Sequence, residues 1–488
     1  MINPTTWVSA RIGDLCDLIN GKAFKPEDWS SKGLPIIRIQ NLNNPEAKFN
    51  HYEGPVEPRF LVQPGELLFA WSGTPGTSFG AHVWKGPKAV LNQHIFRVVF
   101  DPEHLSRDYL RLAINSKLEE LIGKAHGGVG LAHVTKGKFE ATEIQVPPLP
   151  EQRRIVAKIE SMSARSKRAR AELDKARELT SRAVQAIIDR GVAGALSRRD
   201  GVLEDVQETL DGVRRDRLAS KQPSRRKAVL PVAESTIPEK WAWVSPDELA
   251  SDERYSLAIG PFGSSLVRSD YRPSGTPLIF VRDIRRGVFD HEGNRFVDQK
   301  KAEELRAHIV SAGDLLITKM GDPPGDVAIY PKGKPEAVIT ADCIKFRPHQ
   351  RLAIVEYLEI AMKSTCVKRQ MAGITAGVAH QKVSLDRFRS IALPVPPLDE
   401  QRSIVSVVTR LLGRADGLAD DVEKSTKLLD RLDQSIVAKA FQGELVPQDP
   451  TDEPASVLVD RIRAKRGVTA AAPKRRGKQP SAATAIRS

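Results

Sequence analysis

The sequence is poor in cysteine. Cys16, Cys343 and Cys366 are the three in 488 residues, too few for a disulfide scaffold and in keeping with a reducing compartment. No pair has the C-x-x-C spacing of a structural zinc site. Aromatic residues make up only 6%. No apolar run reaches the roughly 18 residues a membrane span needs. The segment Met1-Ile2-Asn3-Pro4-Thr5-Thr6-Trp7 has no basic stretch leading into an apolar one, so no secretory leader is expected. Familiar catalytic signatures are missing too. There is no G-x-x-x-x-G-K-[ST] loop, and the nearest Gly-rich stretch, Gly127-Gly128-Val129-Gly130, lacks the spacing of a dinucleotide fingerprint. Neither H-E-x-x-H nor G-x-S-x-G occurs. The ten histidines are scattered, none in ligand spacing with another. No Asn-Pro-Pro-aromatic motif of the amino-methyltransferases appears, nor a carboxylate pair with a lysine that would suggest a nuclease. The sequence thus offers no chemistry of its own.

What the chain does have is length and positive charge. At about 100–200 residues per domain, it should hold three or four structural units. Lysine and arginine number 75 against 61 acids, a net charge of +14, which makes a phosphate backbone the first partner to consider. The excess is uneven: +1 over residues 1–150, +7 over 151–240, +3 over 241–394 and +3 over 395–488. Two large segments are therefore nearly neutral, and any nucleic-acid contact there requires basic residues gathered on one face.

The main signal is an internal repeat. Val146-Pro147-Pro148-Leu149-Pro150-Glu151-Gln152-Arg153-Arg154-Ile155-Val156 returns as Val395-Pro396-Pro397-Leu398-Asp399-Glu400-Gln401-Arg402-Ser403-Ile404-Val405, identical at nine of eleven positions at an offset of 249. Arg182, Gln185, Ile187, Gly194 and Leu196 meet Arg431, Gln434, Ile436, Gly443 and Leu445 at the same offset. Upstream, Gly65-Glu66-Leu67-Leu68 matches Gly313-Asp314-Leu315-Leu316 at 248, and Trp7-Val8-Ser9 matches Trp243-Val244-Ser245 at 236. An offset that drifts in one half and holds in the other marks a tandem duplication with variable loops in its first part.

Each copy opens with about 145 residues of mixed α/β character. Leu34–Ile39, Leu67–Phe69, Leu278–Val281 and Leu315–Ile317 read as short strands, bounded by Gly, Pro, Asn and Asp clusters. Leu105–Leu121 and Leu352–Val367 read as helices. A long helix follows each Pro-Pro pair. Stepping 4-3 from Ile155 reaches Ile159, Met162, Ser166, Ala169, Leu173, Ala176, Thr180, Ala183 and Ile187, eight of ten apolar; from Ile404 it reaches Val408, Leu411, Ala415, Leu418, Val422, Ser425, Leu429, Leu432 and Ile436, nine of ten. Four to five heptads predict a coiled coil, most economically the two helices with each other; the bland alternative is two unrelated amphipathic helices. Packed antiparallel, they would form a rod with pseudo-two-fold symmetry and a globular part at each end.

This order, a variable domain, a Pro-Pro-Leu-x-Glu-Gln-Arg-x-Ile-Val helix and then both again, resembles the specificity subunit of type I restriction-modification systems. The resemblance runs to about Arg466. Its sharpest marks are Leu149-Pro150-Glu151-Gln152-Arg153, Leu398-Asp399-Glu400-Gln401-Arg402 and the helix end from Leu432 to Val446. It implies an α+β protein divided into target recognition domain 1 (1–145), a first spacer helix region (146–220), a linker (221–240), target recognition domain 2 (241–394), a second spacer region (395–466) and a basic tail (467–488) expected to be disordered. It further implies double-stranded DNA as partner, each recognition domain reading half of a split site while the helices set the spacer. Two copies of a methylation subunit dock on the helices, and restriction (translocase) subunits join that core. The chain itself is then non-catalytic and holds no cofactor or metal. S-adenosylmethionine, ATP and Mg²⁺ belong to the partners, and the assembly works in the bacterial or archaeal cytosol, away from any membrane.

Phosphate contacts favour Lys and Arg on Gly-rich loops, and base readout favours Arg or Lys for guanine and Asn or Gln for adenine. Those preferences select Lys22, Lys25, Arg38, Gln40, Asn41, Asn43, Lys136 and Lys138 in the first copy, and Ser264, Ser265, Arg282, Arg285, Arg286, Lys319 and Lys382 (beside His380 and Gln381) in the second. For each of them the alternative is a solvated loop side chain. Trp71 and Trp84 read as core or loop-packing residues, Cys343 and Cys366 as buried small hydrophobes. Because the copies share landmarks but differ in their loops, the expected target is asymmetric and bipartite, with half-site centres near one helical turn, about 34–36 Å, apart. The competing readings are an enzyme with unseen motifs and a coiled-coil scaffold or adaptor that binds no DNA.

Overall fold

The computed structural model describes residues 6–44, 47–74, 77–123, 132–197, 205–229, 236–290, 293, 295–377 and 381–470. The chain divides into two units, one of Met1–Glu172 with Ser425–Ser488 and one of Leu173–Lys424. Each unit thus draws on both long helices.

In the first unit, Cys16–Asn20, Ile95–Phe100, Leu67–Ala70 and Gly80–Val83 form a four-stranded antiparallel sheet in that order. A second sheet runs His51–Tyr52, Leu34–Ile37, Ala89–Leu91, Leu61–Val62, with one parallel pairing, Ile36 opposite Val90. The second unit repeats the plan. Leu257–Ile259, Cys343–Phe346, Leu315–Thr318 and Val327–Ile329 form one sheet; Phe296–Val297, Thr276–Ile279, Ala337–Ile339 and Ile309–Val310 form the other, with Leu278 parallel to Val338. Leu67–Ala70 and Leu315–Thr318 are buried at all four positions, which is why these strands read as unbroken apolar runs.

The segments predicted as single helices each break in two. Arg107–Ser116 gives way to Leu118–Gly123, and Val355–Met362 to Thr365–Gly373, where the Ser364 hydroxyl accepts from Val367 N and starts a new helix. Each first helix buries a tyrosine whose hydroxyl donates to a backbone carbonyl: Tyr109 to Gln145 O at 2.9 Å, Tyr357 to Pro394 O at 2.7 Å.

The long helices are Leu149–Val192 and Leu398–Phe441, 44 residues each. Their starts are fixed by the Pro-Pro pairs and their ends by Gly194 (φ 75°) and Gly443 (φ 77°). The N–H groups of Ala195 and Glu444 reach back five residues to Arg190 O and Lys439 O, the closure that left-handed glycine permits. The helices pack antiparallel. In the first unit Arg170 reaches Asp430 at 2.7 Å and Asp433 at 2.8 Å, while Ile155, Ile159, Ile436 and Ala440 share the core. In the second, Ile188 and Val192 share a core with Ile404 and Val408, and Gly191 has no room for a Cβ against Val408. The heptad seam needs three corrections. Leu418 and Leu432 are exposed, and Ala183 yields to Val184 and Ile188. A straight helix at 3.6 residues per turn drifts off a 3.5 repeat, and near Leu432 it is Asp433 that turns in to receive Arg170.

A shorter helix completes each unit. Val206–Ala219 buries Val206, Leu210 and Val213 in the second, and Ala455–Ala470 buries Ala455, Leu458, Val459 and Ile462 in the first. The two are equivalent down to their first hydrogen bond, Val206 N to Lys240 O and Ala455 N to Thr6 O. In the basic link, Asp247 accepts from Arg226 N at 2.8 Å, and Val229 N donates to Ser390 O. The tail beyond 470, His380 and Gly127–Gly130 lie outside the described residues.

Candidate nucleic-acid interface

At one end of the larger sheet of each unit, the longer-stranded one that holds Leu67–Ala70 or Leu315–Thr318, four chain segments converge through the same backbone bonds. In the first unit Trp71 N donates to His94 O at 3.3 Å, and Val134 N donates to Trp71 O at 3.0 Å. In the second, Lys319 N donates to Asp342 O at 2.7 Å, and Val383 N donates to Lys319 O at 3.0 Å. Ser72 pairs with His133 as Met320 pairs with Lys382. The fourth segment enters through a glycine. A Cβ on Gly21 would lie 2.1 Å from Asn92 O, and one on Gly260 would lie 2.0 Å from Thr340 O. Only glycine lets the loops at 21–25 and 260–265 come down onto the sheet.

The two frames carry different side chains. In the first, Trp71 packs against Phe96, His94 and His133, with ring centroids 5.9, 5.2 and 5.8 Å away. Burial, and then the charge of His133, hold His94 below the ordinary imidazole range, so it is neutral at pH 7. Lys22 donates to the Tyr52 hydroxyl at 2.8 Å and lies 4.3 Å from the centre of that ring. In the second, Lys319 Nζ stands 5.2 Å from the centre of the Phe262 ring, and Lys382 lies 3.7 Å from Asp342.

The remaining predicted residues divide by environment. Lys25, Gln40 and Asn43 are exposed. Arg38 precedes the short helix Ile39–Asn43 and covers the exposed Trp29 at 5.3 Å. Asn41 is buried: its Oδ1 accepts from Arg38 N and its Nδ2 donates to Ala47 O, so it shapes the loop that presents Arg38. Lys136 donates to Leu18 O at 3.1 Å and lies 3.6 Å from Glu140; Lys138 sits two residues on in the same short helix, half-buried. Ser264 and Ser265 are exposed on the turn Gly263–Ser265. Arg282 lies over Phe280 at 4.9 Å. Arg285 and Arg286 fall on the 3-10 helix Val281–Gly287, their side chains outside the described set. The structure thus joins Lys319, Lys382 and the 262–265 turn in one cluster. In the first unit it ties Lys22 to the sheet end occupied by Trp71 and His94.

Several buried polar groups had no sequence signal. Lys345 donates to Ile309 O at 2.7 Å and Ala307 O at 3.3 Å, and Arg97 likewise reaches Leu61 O at 2.6 Å. Both fasten the smaller sheet to the larger. Burial pushes the Lys345 ammonium down to about 8, so the folded chain releases this proton before the unfolded chain does, and Lys345 adds stability as pH rises from about 8 towards 10.5. Against Lys345→Met, the wild-type protein should gain up to about 2 kcal/mol between pH 7.5 and 9.5. Urea midpoints that move in parallel for the two proteins would remove the claim.

Trp84 is core as expected, its indole N–H satisfied by Pro87 O at 2.8 Å. Trp71 is half-buried, and its Nε1 has no hydrogen-bond partner among the described residues. Cys16 and Cys343 are buried with thiols pushed up to about 12 by burial, unreactive at neutral pH. Cys366, in contrast to the expectation, is half-exposed. Among the described residues, Asp101, Glu103 and His104 could together face a metal ion, but Lys465 Nζ already sits 2.8 Å from Asp101 and 3.3 Å from Glu103.

The two sheet ends thus share one loop frame and differ in the side chains it carries. The family described as type I restriction modification DNA specificity domain matches residues 4–174 and 289–418, more than half of the chain. The chain belongs to this family. Among relatives of this specificity chain, the EcoBI specificity subunit of Escherichia coli is 23% identical over 95% of the chain and 93% of its own length. The EcoKI specificity subunit of Escherichia coli strain K12 is 24% identical over 96% and 97%. In fold it is similar to a chain from a structural study of complex assembly and conformational transition of the type I system (TM-score 0.65, 19% identity, covering 91% of this chain and 100% of that one). It is also similar to the HsdS subunit of Thermoanaerobacter tengcongensis (TM-score 0.53, 18% identity, covering 91% and 98%). Among the described residues, no helix is long and apolar enough to cross a membrane.

Proposed function

We propose that this specificity subunit reads an asymmetric, bipartite site in double-stranded DNA, each unit taking one half through the loops at the end of its larger sheet. The observation that supports this most is the pair of equivalent frames with unlike contents. Trp71, His94 and His133 in one stand where Lys319, Asp342 and Lys382 stand in the other. Two copies of a shared scaffold with unrelated side chains favour two different half-sites over a palindrome. The candidate contacts are Lys22, Lys25, Arg38, Gln40, Asn43, Lys136 and Lys138 in the first unit, with Asn41 as a positioning residue, and Ser264, Ser265, Arg282, Arg285, Arg286, Lys319 and Lys382 in the second.

In this reading the chain is non-catalytic and works in the cytosol. Two methylation subunits dock on its long helices, and restriction subunits join them. S-adenosylmethionine, ATP and Mg²⁺ act in those partners. Family membership favours this over a scaffold without DNA specificity.

The test is methylome sequencing of a methylation-deficient bacterial host expressing this chain with its cognate methylation subunit. The expected result is a modified-adenine motif in two unequal halves around a fixed spacer, absent when this chain is omitted. A complex that assembles and yields no motif would return the scaffold reading. Binding of the complex to a duplex carrying the motif should also weaken steeply with salt, in proportion to the phosphates neutralised; affinity independent of salt would argue against the phosphate contacts.

A further inference from the structure

We propose that Phe262 recognises a thymine methyl group in the half-site read by the second unit, an inference that rests on the DNA-reading function above. Phe262 is a large apolar side chain left 65% exposed. A single exposed apolar residue needs no explanation by itself; the surroundings of this one do. The loop beneath it is fixed, because Gly260 N donates to Cys343 O at 3.1 Å and its Cα presses against Thr340. Pro261 before it is buried. Gly263 after it adopts φ +42°, which most residues avoid. The ring is therefore held out at the sheet end by the backbone and not by any packing of its own.

Around the ring stand groups suited to a nucleic-acid backbone. Lys319 Nζ is 5.2 Å from the ring centre. Lys382 is on the strand that pairs with Met320, next to Lys319. Ser264 and Ser265 are exposed immediately after it. One ammonium group over the ring, a second on the neighbouring strand, 3.7 Å from Asp342, and two hydroxyls that follow the ring in the chain suit the edge of duplex DNA at an A·T pair. The thymine methyl is the apolar group on the floor of the major groove, and phosphates flank it on both sides.

The first unit strengthens the assignment by contrast. Gly21 closes onto Asn92 as Gly260 closes onto Thr340, yet two residues later the first unit has Ala23 where the second has Phe262. The ring that follows in the first unit, Phe24, lies half-buried against Tyr52 with centroids 5.1 Å apart and is not held out as Phe262 is. The ring therefore serves something that differs between the units, and in a bipartite reader that is the base sequence.

The experiment uses the assembled complex and a duplex carrying its motif, with each thymine replaced in turn by deoxyuridine, which lacks only the methyl. Wild-type complex should bind about three- to tenfold more weakly when one particular thymine is replaced. Phe262→Ala should bind the thymine and uracil duplexes equally at that position, and should respond like wild type at every other position and in the other half-site. Phe262→Leu should retain part of the discrimination. Unchanged thermal unfolding of both variants is expected from the exposure of the ring. A wild-type complex indifferent to every deoxyuridine, or a Phe262→Ala complex that keeps full discrimination, overturns the inference while leaving the DNA-reading function intact. A wild-type complex that does not prefer its motif over a scrambled duplex overturns both.

Discussion

Gln401→Leu should cost the second unit roughly 3–5 kcal/mol of stability, although leucine is close to glutamine in size. Gln401 is fully buried and spends its whole amide on the backbone. Its Oε1 accepts from Ile354 N at 2.9 Å, and its Nε2 donates to Leu352 O and Pro396 O, each at 2.8 Å. One side chain thus ties the first turn of the long helix to the start of helix Val355–Met362. Leucine would strand an N–H and two carbonyls at a fully buried position, at about 1–3 kcal/mol for each buried orphan. Gln152, its counterpart, accepts from Ser106 N at 2.8 Å and donates to Pro147 O at 2.9 Å. Having one bond fewer, Gln152→Leu should cost the first unit less, roughly 2–4 kcal/mol. Urea unfolding followed by hydrogen exchange, which reports the two units separately, decides the matter. A loss below about 1 kcal/mol at Gln401 would show that the motif's glutamine is not what holds the helix to its domain.

Gly260→Ala should destabilise the second unit by about 2–4 kcal/mol and reduce methylation at the motif at least tenfold. The new methyl would arrive 2.0 Å from a backbone oxygen, that of Thr340, and neither partner can swing aside as a flexible side chain would. The loop has to lift, carrying Phe262, Ser264 and Ser265 away from Lys319 and Lys382. Gly21→Ala should do the same to the first unit, where the obstacle is Asn92 O at 2.1 Å. Gly373→Ala is the control: nothing lies within 4 Å of its Cβ position, so its effect should stay within about 0.5 kcal/mol. Equal melting and equal methylation for Gly260→Ala and Gly373→Ala would refute the close-approach argument.

Much of the architecture is legible in the sequence alone. Four consecutive buried residues at Leu67–Ala70 and Leu315–Thr318 could be read as strands because both faces of such a strand are covered. The glutamine motif was visible as a repeated string, but its role was not: nothing in Glu-Gln-Arg says that the glutamine turns inward to Ile354 and Leu352. The coiled-coil seam was readable for most of its length and failed at Ala183, Leu418 and Leu432. There the local pitch and the inward turn of Asp433 decided which face was buried. By sequence Asn41 reads as a base contact for its amide, but the fold uses that amide to cap its own loop.

What the sequence determined by itself is the duplication, the mixed α/β class and the two long helices, because hydrophobic period and repeat offset are properties of order along the chain. What only the tertiary structure decided is which side chains meet. Trp71, His94 and His133 are separated by up to 62 residues, and Lys319 is paired with Phe262 across 57. Strand pairing brings them to one sheet end at spacings that no linear pattern encodes. Sequence order dictates elements through local periodicity, whereas a recognition surface is assembled from loop ends whose neighbours are set by register.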